Sequence, residues 1–248
     1  LAAIFEKIES NEDAGMTFFD TSHRNVHRIK SLLVALDKIN SEKKVALFPR
    51  DYLFLQRCKE LGVEELQDGF DVDRLVVYVK RRASGTYSKK DYYSDRALYR
   101  ITSTPKSRGI NLEDLRVVKA ADVRENPTDY VMSMSFFQMF ELVDLKPPEN
   151  SHYVKSKSEF DDPASIIQAE KENNWLNRAG IPPENRYNVH CSGHAHPNDL
   201  AKMINEINPR VLVPVHTEHP ELFEELGLAE DIEIRIPLPG EAVLVKTP

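Results

Sequence analysis

The chain has 248 residues, of which 41% are hydrophobic and 29% are charged, and its formal net charge is −7. This length allows one large or two ordinary domains, and the composition is that of a globular protein. No apolar stretch approaches the roughly 20 residues of a membrane helix, no secretory signal opens the chain, and the net charge argues against a general nucleic-acid coat while allowing a local basic channel.

The cysteines and the first residue add two expectations. Cys58 and Cys191 are the two cysteines, and neither belongs to a CxxC pair. The sequence therefore predicts no disulfide and a reducing, cytoplasmic location. The chain begins at Leu1, without methionine and directly in a helical pattern, so we expect it to be a segment of a longer protein.

Apolar spacing predicts alternating strands and helices in the first part of the chain. A β-α-β-α order of this kind indicates a parallel sheet with helices on both sides. The predicted helices and strands are a helix over 1–10, a strand over 16–20, a helix over 25–40, a strand over 45–48, a helix over 52–61, a strand over 75–79, a helix over 92–101, and a strand over 130–135 leading into a helix that ends near Leu145.

The strongest boundary signal is the polar, proline-containing turn over residues 146–150. The pattern after it predicts a strand over 152–155, a polar loop over 156–162 and a helix over 163–179. Two strand–turn–helix units that carry histidine follow, and a closing hairpin over 232–236 and 242–246 ends the chain.

The two histidine motifs have the same form. An apolar strand ends in a turn that carries His194 in the first motif and His216 in the second, 22 positions later, and a helix begins just after each. We expect both imidazoles to lie at one edge of one sheet, where open α/β sheets build their sites. A lone histidine is usually structural, but the matched positions favour metal or phosphate chemistry.

Small polar residues beside the histidines are candidates for phosphate binding. Ser192 and Gly193 allow backbone N–H groups to approach an oxyanion, and the following helix directs its positive end there. We add His190 from the same turn. A tight strand–helix turn with an N-cap is the structural alternative, and we interpret His196 and His219, which precede helix-starting prolines, as turn residues.

Ser156 and Ser158 flank Lys157 directly after a predicted strand. Their hydroxyls and amides are candidates to bind a phosphate, with Lys157 as the counter-charge. A solvated loop explains the same residues equally well.

A basic and aromatic stretch is the candidate RNA-contact region. Cations neutralise phosphates and aromatic rings stack on unpaired bases, although charged surface loops are common. Arg28, at the start of a helix, is a further candidate, and a carboxylate is its alternative partner. The members of the stretch are Lys80, Arg81, Arg82, Tyr87, Lys89 and Lys90.

Together these residues resemble the metallo-β-lactamase-fold nucleases of the β-CASP group, particularly the ribonuclease J-like proteins of archaea and bacteria. Residues 24–29, 156–159, 192–195 and 214–218 carry the resemblance, and the last two segments match the group's second and third signature motifs. The resemblance implies that His194 contacts the scissile phosphate or assists the leaving group. It implies that His216 is a ligand of one of two zinc ions.

The sequence departs from this group in one respect. The HxHxDH run that supplies most of the group's metal ligands does not occur in this chain. The resemblance therefore implies the end of an N-terminal lactamase part over 1–15, a Rossmann-like β-CASP domain over 16–150, and the C-terminal part of a lactamase αββα sandwich over 151–248. We expect an exposed apolar face on that last part.

Three functions remain open at this point. The first is the C-terminal portion of a zinc-dependent ribonuclease for RNA processing or 5′-3′ decay, which acts on single-stranded RNA, is inactive alone and needs its N-terminal lactamase half in cis or in trans. The second is a non-catalytic nucleic-acid-binding or scaffold module, or a β-CASP nuclease for DNA. A small-molecule nucleotide binder is third, disfavoured by the lack of GxGxxG and GxxxxGK[ST] loops. We expect no membrane association and leave homo-oligomerisation open.

Overall fold

The structure is a computed structural model that describes residues 1–22, 25–66, 72–80, 115–157, 162–189, 195–238 and 240–243. The chain divides into two compact units, Leu1–Cys191 and Ser192–Pro248. In the described ranges no helix is both long enough and apolar enough to cross a bilayer.

The first unit alternates strands and helices as the sequence predicts. Short 3-10 segments occur at Glu64–Leu66, Val72–Arg74, Phe136–Glu141 and Pro183–Asn185. The regular elements are α1 (Ala2–Glu9), β1 (Thr17–Asp20), α2 (Val26–Lys38), β2 (Lys44–Leu47), α3 (Pro49–Glu60), β3 (Leu75–Tyr78), β4 (Val117–Val118), α4 (Ala120–Glu125), β5 (Tyr130–Ser133), α5 (Leu142–Leu145), β6 (His152–Lys155), α6 (Pro163–Arg178) and β7 (Arg186–Asn188).

The described strands of this unit form one sheet of seven in the order β4-β3-β2-β5-β1-β6-β7. Every pairing in it is parallel. The predicted α/β fold with a parallel sheet flanked by helices is confirmed. The helix predicted over 92–101 lies outside the described residues.

Both faces of the sheet are covered. Successive side chains on a strand point to opposite faces, and the two sets pack into two separate cores. Phe19 and Val154 belong to the core under α1, α2 and α3. Phe18 and Tyr153 belong to a second core under α4, α5 and α6. Strands β1, β3 and β6 are therefore buried at every residue rather than at alternate ones, as expected for a sheet covered on both sides.

The connections after β1 and β6 leave the sheet on opposite faces. The chain after β1 enters α2 on the first face and returns as β2, whereas the chain after β6 enters α6 on the second face and returns as β7. Since β1 and β6 are neighbours, this is a topological switch point. A crevice is expected there, outside the carboxyl ends of the two strands.

The segment after the turn at 146–150 belongs to the same sheet as the segment before it. β6 pairs with β1, from His152 beside Thr17 to Lys155 beside Asp20. The division of the structure therefore falls at Cys191 and Ser192 rather than after residue 150, because the residues that follow the turn complete the first sheet.

Gly15 fixes the approach of β1 to this turn. Its N–H donates to the carbonyl of Asn150 at 3.0 Å. The Ser151 hydroxyl accepts from the N–H of Met16 at 3.1 Å and donates to the carbonyl of Pro148 at 2.7 Å. A Cβ at position 15 would lie 2.6 Å from Ser151 Oγ, so only glycine fits without a shift.

The second unit contains α7 (Pro197–Ile207), β8 (Val211–Leu212), a 3-10 segment at Pro220–Glu225 and β9 (Glu233–Ile234). β8 pairs with β9 in a separate, parallel two-stranded sheet. The prediction that both histidine motifs follow strands of one sheet is therefore wrong. The strand before the first motif, β7, pairs with β6, whereas the strand before His216 pairs only with β9 in the described part of the chain.

Several large apolar side chains are exposed in the second unit. Ile207, Val215 and Leu238 are 65%, 79% and 74% exposed. The second strand of the predicted closing hairpin ends in residues outside the described part, while its first strand, β9, forms a parallel pair instead.

Candidate functional site

A cavity of about 580 Å³ lies at the switch point of the first unit. Its walls come from the ends of β1, β5 and β6 with the residues that follow them, from Asp51 of α3, and from α6 between Ser165 and Asn173. Most of the polar groups in the lining are hydroxyls and amides, including Thr21, Ser22, Ser133, Ser135, Gln138 and Asn173. This volume falls within the roughly 300–1,000 Å³ of small-molecule sites.

A network of charged groups stands where the two strands end. Asp20 is fully buried, and its Oδ2 accepts a hydrogen bond from the Tyr153 hydroxyl at 2.7 Å and forms an ion pair with Lys157. Lys155 donates to Glu172 Oε1 at 2.8 Å. The other oxygen of Glu172 lies 3.7 Å from the Lys157 ammonium, so two lysines and two carboxylates neutralise each other.

The burial of this network changes its acid–base properties. Burial raises the pKa of Asp20, although the Lys157 ammonium and the Tyr153 hydrogen bond act in the opposite direction. Burial, and then the charges of Asp20 and Glu172, raise the pKa of Tyr153 well above its usual value. Tyr153 therefore remains a protonated donor to Asp20 near neutral pH.

Two buried oxygen atoms at the cavity have no hydrogen-bond partner among the described residues. They are Oδ1 of Asp20 and Oγ1 of Thr21, and both residues line the cavity. An unmet buried polar group costs about 1–3 kcal/mol. Both oxygens are enclosed by protein atoms, so each adds such a cost to the fold at the end of β1.

Aromatic residues form one rim of the cavity. Phe137 is 77% exposed although it is a large apolar residue, and its ring lies edge-on to Phe136 at 5.5 Å between centroids. The segment begins at Ser135, whose N–H donates to Gln138 Oε1 at 2.8 Å. This capping interaction fixes the turn that presents Phe137.

Few of the predicted phosphate and RNA contacts are in described parts of the first unit. Ser156 is buried, its N–H donates to the Asp20 carbonyl at 2.7 Å, and its hydroxyl lies 3.4 Å from the Val189 carbonyl. Its hydroxyl therefore links the residue after β6 to the residue after β7. Lys80 lies 5.0 Å from the ring centroid of Phe140, and Arg28 is partly buried in the first turn of α2.

The remaining predicted site residues lie outside the described residues. These are His190, Ser192, Gly193 and His194 of the first histidine motif, Ser158 of the serine loop, and Arg81, Arg82, Tyr87, Lys89 and Lys90 of the basic stretch. Their predicted roles stay predictions.

His216 has an unusual backbone in the second unit. It is exposed, and its φ of 57° lies in the left-handed region, which side chains other than glycine rarely adopt. Residues held in this way cluster at functional sites.

His196 and His219 of the second unit are turn residues, as predicted. The His196 ring accepts a hydrogen bond from the N–H of Asn198 at 3.3 Å and caps α7. His219 precedes the 3-10 segment that begins at Pro220, and its Nδ1 lies 2.9 Å from Glu221 Oε1.

The described residues do not form a zinc site. Within them, no group of three or more histidine, cysteine or acidic side chains is placed to hold a metal ion. A catalytic zinc needs about three protein ligands and an open position. His216 alone falls short of this set, so the described residues by themselves do not fit a catalytic zinc ion.

Comparison with known proteins gives one family match. Residues 181–237 match the model of the RNA specificity domain of Zn-dependent metallo-hydrolases. No curated protein sequence significantly matches the chain.

The matched residues include both predicted histidine motifs, at 190–196 and 214–218. The match covers a minority of the chain. It supports a metallo-β-lactamase-type fold for this part and a zinc-dependent hydrolase as the kind of protein that contains it.

The network at the switch point is what sequence reasoning missed. The acidic residue Asp20 at the end of an apolar strand is the available signal, and the sequence pattern indicates for Lys157 only a role as a phosphate counter-charge. Tyr153 and Glu172 carry no local signal, since a tyrosine in a strand and a glutamate in a helix are ordinary residues there.

Proposed function

We propose that this chain is the C-terminal portion of a zinc-dependent ribonuclease of the β-CASP group, similar to ribonuclease J, which hydrolyses phosphodiesters of single-stranded RNA. The observation that carries the proposal is the match of residues 181–237 to an RNA specificity domain. The motifs at 192–195 and 214–218 lie inside that match and support the nuclease assignment.

Each histidine has a separate role in this proposal. His194 contacts the scissile phosphate or assists the leaving group, and His216 is a zinc ligand. Ser192, Gly193, His190 and Ser158 bind phosphate, and the basic stretch from Lys80 to Lys90 contacts the RNA backbone. The doubly wound first unit is the β-CASP domain, and the residues after Cys191 are the C-terminal lactamase part.

The chain by itself is inactive in this proposal. It contains no HxHxDH run, and the resemblance assigns it one zinc ligand, His216, of the roughly three that each catalytic zinc needs. The other ligands of the two zinc ions come from an N-terminal lactamase half, in cis or in trans. The complete enzyme works in the cytoplasm.

Binding and cleavage are tested together on the purified 248-residue chain. We expect a 5′-labelled single-stranded RNA to bind at 50 mM salt, and the affinity to fall steeply by 200 mM because phosphate contacts release counterions. We expect no multiple-turnover cleavage with zinc or manganese. Absence of RNA binding at 50 mM salt would contradict the function, and turnover abolished by His216→Ala would show a complete site within the chain.

A non-catalytic RNA-binding module is the second candidate, and the absence of HxHxDH favours it. Co-expression with an HxHxDH-bearing lactamase half separates the two. The nuclease predicts bound zinc and RNA cleavage in the complex. His194→Ala should then lower turnover with zinc retained, whereas His216→Ala should lower zinc content as well. A stable complex that binds RNA without cleaving it supports the second candidate, and preferential cleavage of DNA identifies a DNA nuclease.

A further inference from the structure

Exposed residues recur at every third position in the segment that follows β5. Phe137, Phe140 and Val143 are 77%, 45% and 46% exposed, and Lys146 is the next exposed residue of the same series. The other residues from 136 to 145 are buried or half-buried. Side chains three residues apart are eclipsed in a 3-10 helix, in which the rise is about 2.0 Å per residue. The two phenylalanines therefore lie in one row, with about 6 Å between them along the segment axis.

Two lysines accompany this row, which we term the phenylalanine row (Phe137, Phe140, Val143 and Lys146). The Lys80 ammonium lies 5.0 Å from the centroid of the Phe140 ring, and Lys146 ends the row itself. Neither Lys80 nor Lys146 forms an ion pair with a described residue. Their positive charges are therefore not neutralised by the described part of the chain.

The carboxylates of the same segment are turned away from the exposed side. Glu141 and Asp144 are the acidic residues between positions 136 and 146, and they are only 1% and 6% exposed. Glu141 accepts a hydrogen bond from the buried Tyr78 hydroxyl at 2.9 Å. Although the chain has a net charge of −7, the exposed side of this segment is apolar and positively charged. A polyanion therefore meets no carboxylate of this segment there.

This combination fits single-stranded RNA better than a protein partner. Lysine is depleted in the cores of protein interfaces. Proteins that bind single strands instead combine cations, which attract the phosphates, with aromatic rings on which the bases stack. The match of residues 181–237 to an RNA specificity domain indicates the same class of ligand from a different part of the chain.

We propose that the phenylalanine row is a stacking platform for single-stranded RNA, with one base on Phe137, a second base on Phe140, and phosphates beside Lys80 and Lys146. Its ligand rests on the proposed function, and the platform adds to that function a binding surface outside the histidine motifs. Because every base has a π-face, a platform of this kind binds without sequence preference.

The bases of the ligand separate stacking from charge attraction. The complete chain is titrated with a labelled oligouridine RNA of roughly 12 nucleotides, within the usual range of site sizes, and with an abasic strand that has the same number of phosphates. Fluorescence anisotropy without added metal measures both affinities. We expect the abasic strand to bind at least about 25-fold more weakly, because each of the two stacked bases contributes at least about fivefold.

Matched substitutions test whether this ratio of affinities comes from the row. Phe137→Leu keeps an apolar side chain and removes the ring, so the ratio should fall by about fivefold, and Phe140→Leu should act alike. Phe137→Tyr keeps an aromatic ring and should leave the ratio within about twofold of wild type. Leu61→Ala, at a residue that is 67% exposed at the end of α3, is the control and should not change it. Circular dichroism checks the fold of each variant.

The salt dependence of binding tests the phosphate contact. In Lys80→Met the slope of log affinity against log salt should become shallower by about 0.7, the value for one phosphate of a single strand. Phe137→Leu should keep the wild-type slope, since the ring carries no charge. An unchanged slope in Lys80→Met would overturn the phosphate contact of Lys80.

The platform and the proposed function fail in different ways. Equal affinity for the two strands, or a ratio that neither Phe137→Leu nor Phe140→Leu changes, overturns the platform and leaves the RNA function in place. A chain that binds no RNA at all contradicts the proposed function and the platform with it. If Phe137→Leu instead dissociates a dimer of the chain and leaves both RNA affinities unchanged, the row is an interface between copies and the platform is wrong.

Discussion

Asp20 and Lys157 form an ion pair across the point where neighbouring strands β1 and β6 send the chain to opposite faces of the sheet. Asp20 is fully buried, while the Lys157 side chain is 23% exposed. The pair joins the two walls of the crevice, and it depends on both partners, since burial alone would disfavour the charge of Asp20.

Lys157→Met should destabilise the first unit because it leaves the carboxylate of Asp20 buried without its counter-charge. We expect a loss of about 2–3 kcal/mol in the free energy of unfolding, below the roughly 3–5 kcal/mol of fully buried pairs because Lys157 is partly exposed. Urea unfolding at pH 7 measures it. The double variant Asp20→Asn with Lys157→Met should recover part of the loss.

Lys202→Met is the control for this pair. Lys202 and Glu206 form an exposed pair on α7, with side chains 75% and 69% exposed, and its loss should change stability by less than about 0.5 kcal/mol. Equal effects of the two lysine substitutions would show that the Asp20–Lys157 pair contributes no more than a surface contact.

Protonation of His152 should lower the free energy of unfolding at mildly acidic pH. Its ring is buried, neither nitrogen has a partner among the described residues, and it stacks on Tyr187. Burial, and then the charges of Lys7 and Lys43, lower its pKa. The unfolded state, with a histidine pKa near 6.5, therefore binds a proton that the folded state does not, so stability is complete above about pH 6.5 and decreases below it.

His152→Phe should flatten this decrease, because phenylalanine packs in the same place and does not titrate. The measurement is the free energy of unfolding at pH 7.5, 6 and 5 for both proteins. His27→Gln, at an exposed position of α2, serves as the control and should retain the wild-type slope. An identical slope in His152→Phe would remove His152 as the cause.

Gly15→Ala should destabilise the junction between β1 and the turn before β6. The added Cβ would lie 2.6 Å from Ser151 Oγ and 3.0 Å from Ser151 N, and crowding of this kind costs about 1–3 kcal/mol. Ser151→Ala alone should cost about 1 kcal/mol through its lost hydrogen bonds. Thermal unfolding should show that the double variant is destabilised by less than the sum of the two single variants. Strict additivity would mean that the side chains at positions 15 and 151 are not in contact.

His216→Gly should be more stable than His216→Ala by about 1 kcal/mol, because glycine adopts the left-handed conformation at φ 57° without the strain of a Cβ. At His219, where φ is −128°, the alanine variant should instead be more stable than the glycine variant. Chemical unfolding of all four variants decides this. Equal stability of the two His216 variants would show that the backbone there is unstrained.

Local patterns were sufficient for the regular elements. The strand predicted over 152–155 coincides with β6, and the helix predicted over 163–179 differs from α6 by one residue. Proline at the helix start and the Asp162 side chain that accepts from Ala164 and Ser165 N–H groups are signals within a few residues. Such signals need no knowledge of distant parts of the chain.

Pairing between distant strands was not predictable from these patterns. The position of β6 beside β1 depends on which of several similar apolar strands pair with each other. This pairing places the residues up to Cys191 in the first unit. The exposure of Phe137 was also not predictable from local sequence patterns. The run over 136–140 contains three phenylalanines, and only the packing of α6 and β5 determines which of them remains at the surface.

The place of β1 in the sheet also affects how the protein folds during synthesis. β1 begins at Thr17, but its two neighbours β5 and β6 begin at Tyr130 and His152. At about 5–20 residues per second, the ribosome needs on the order of 10 s to deliver them. During that time both edges of an apolar strand that contains Phe18 and Phe19 are open to pairing with other chains. Translation pausing before His152 should therefore promote aggregation, whereas a pause after Cys191 should not.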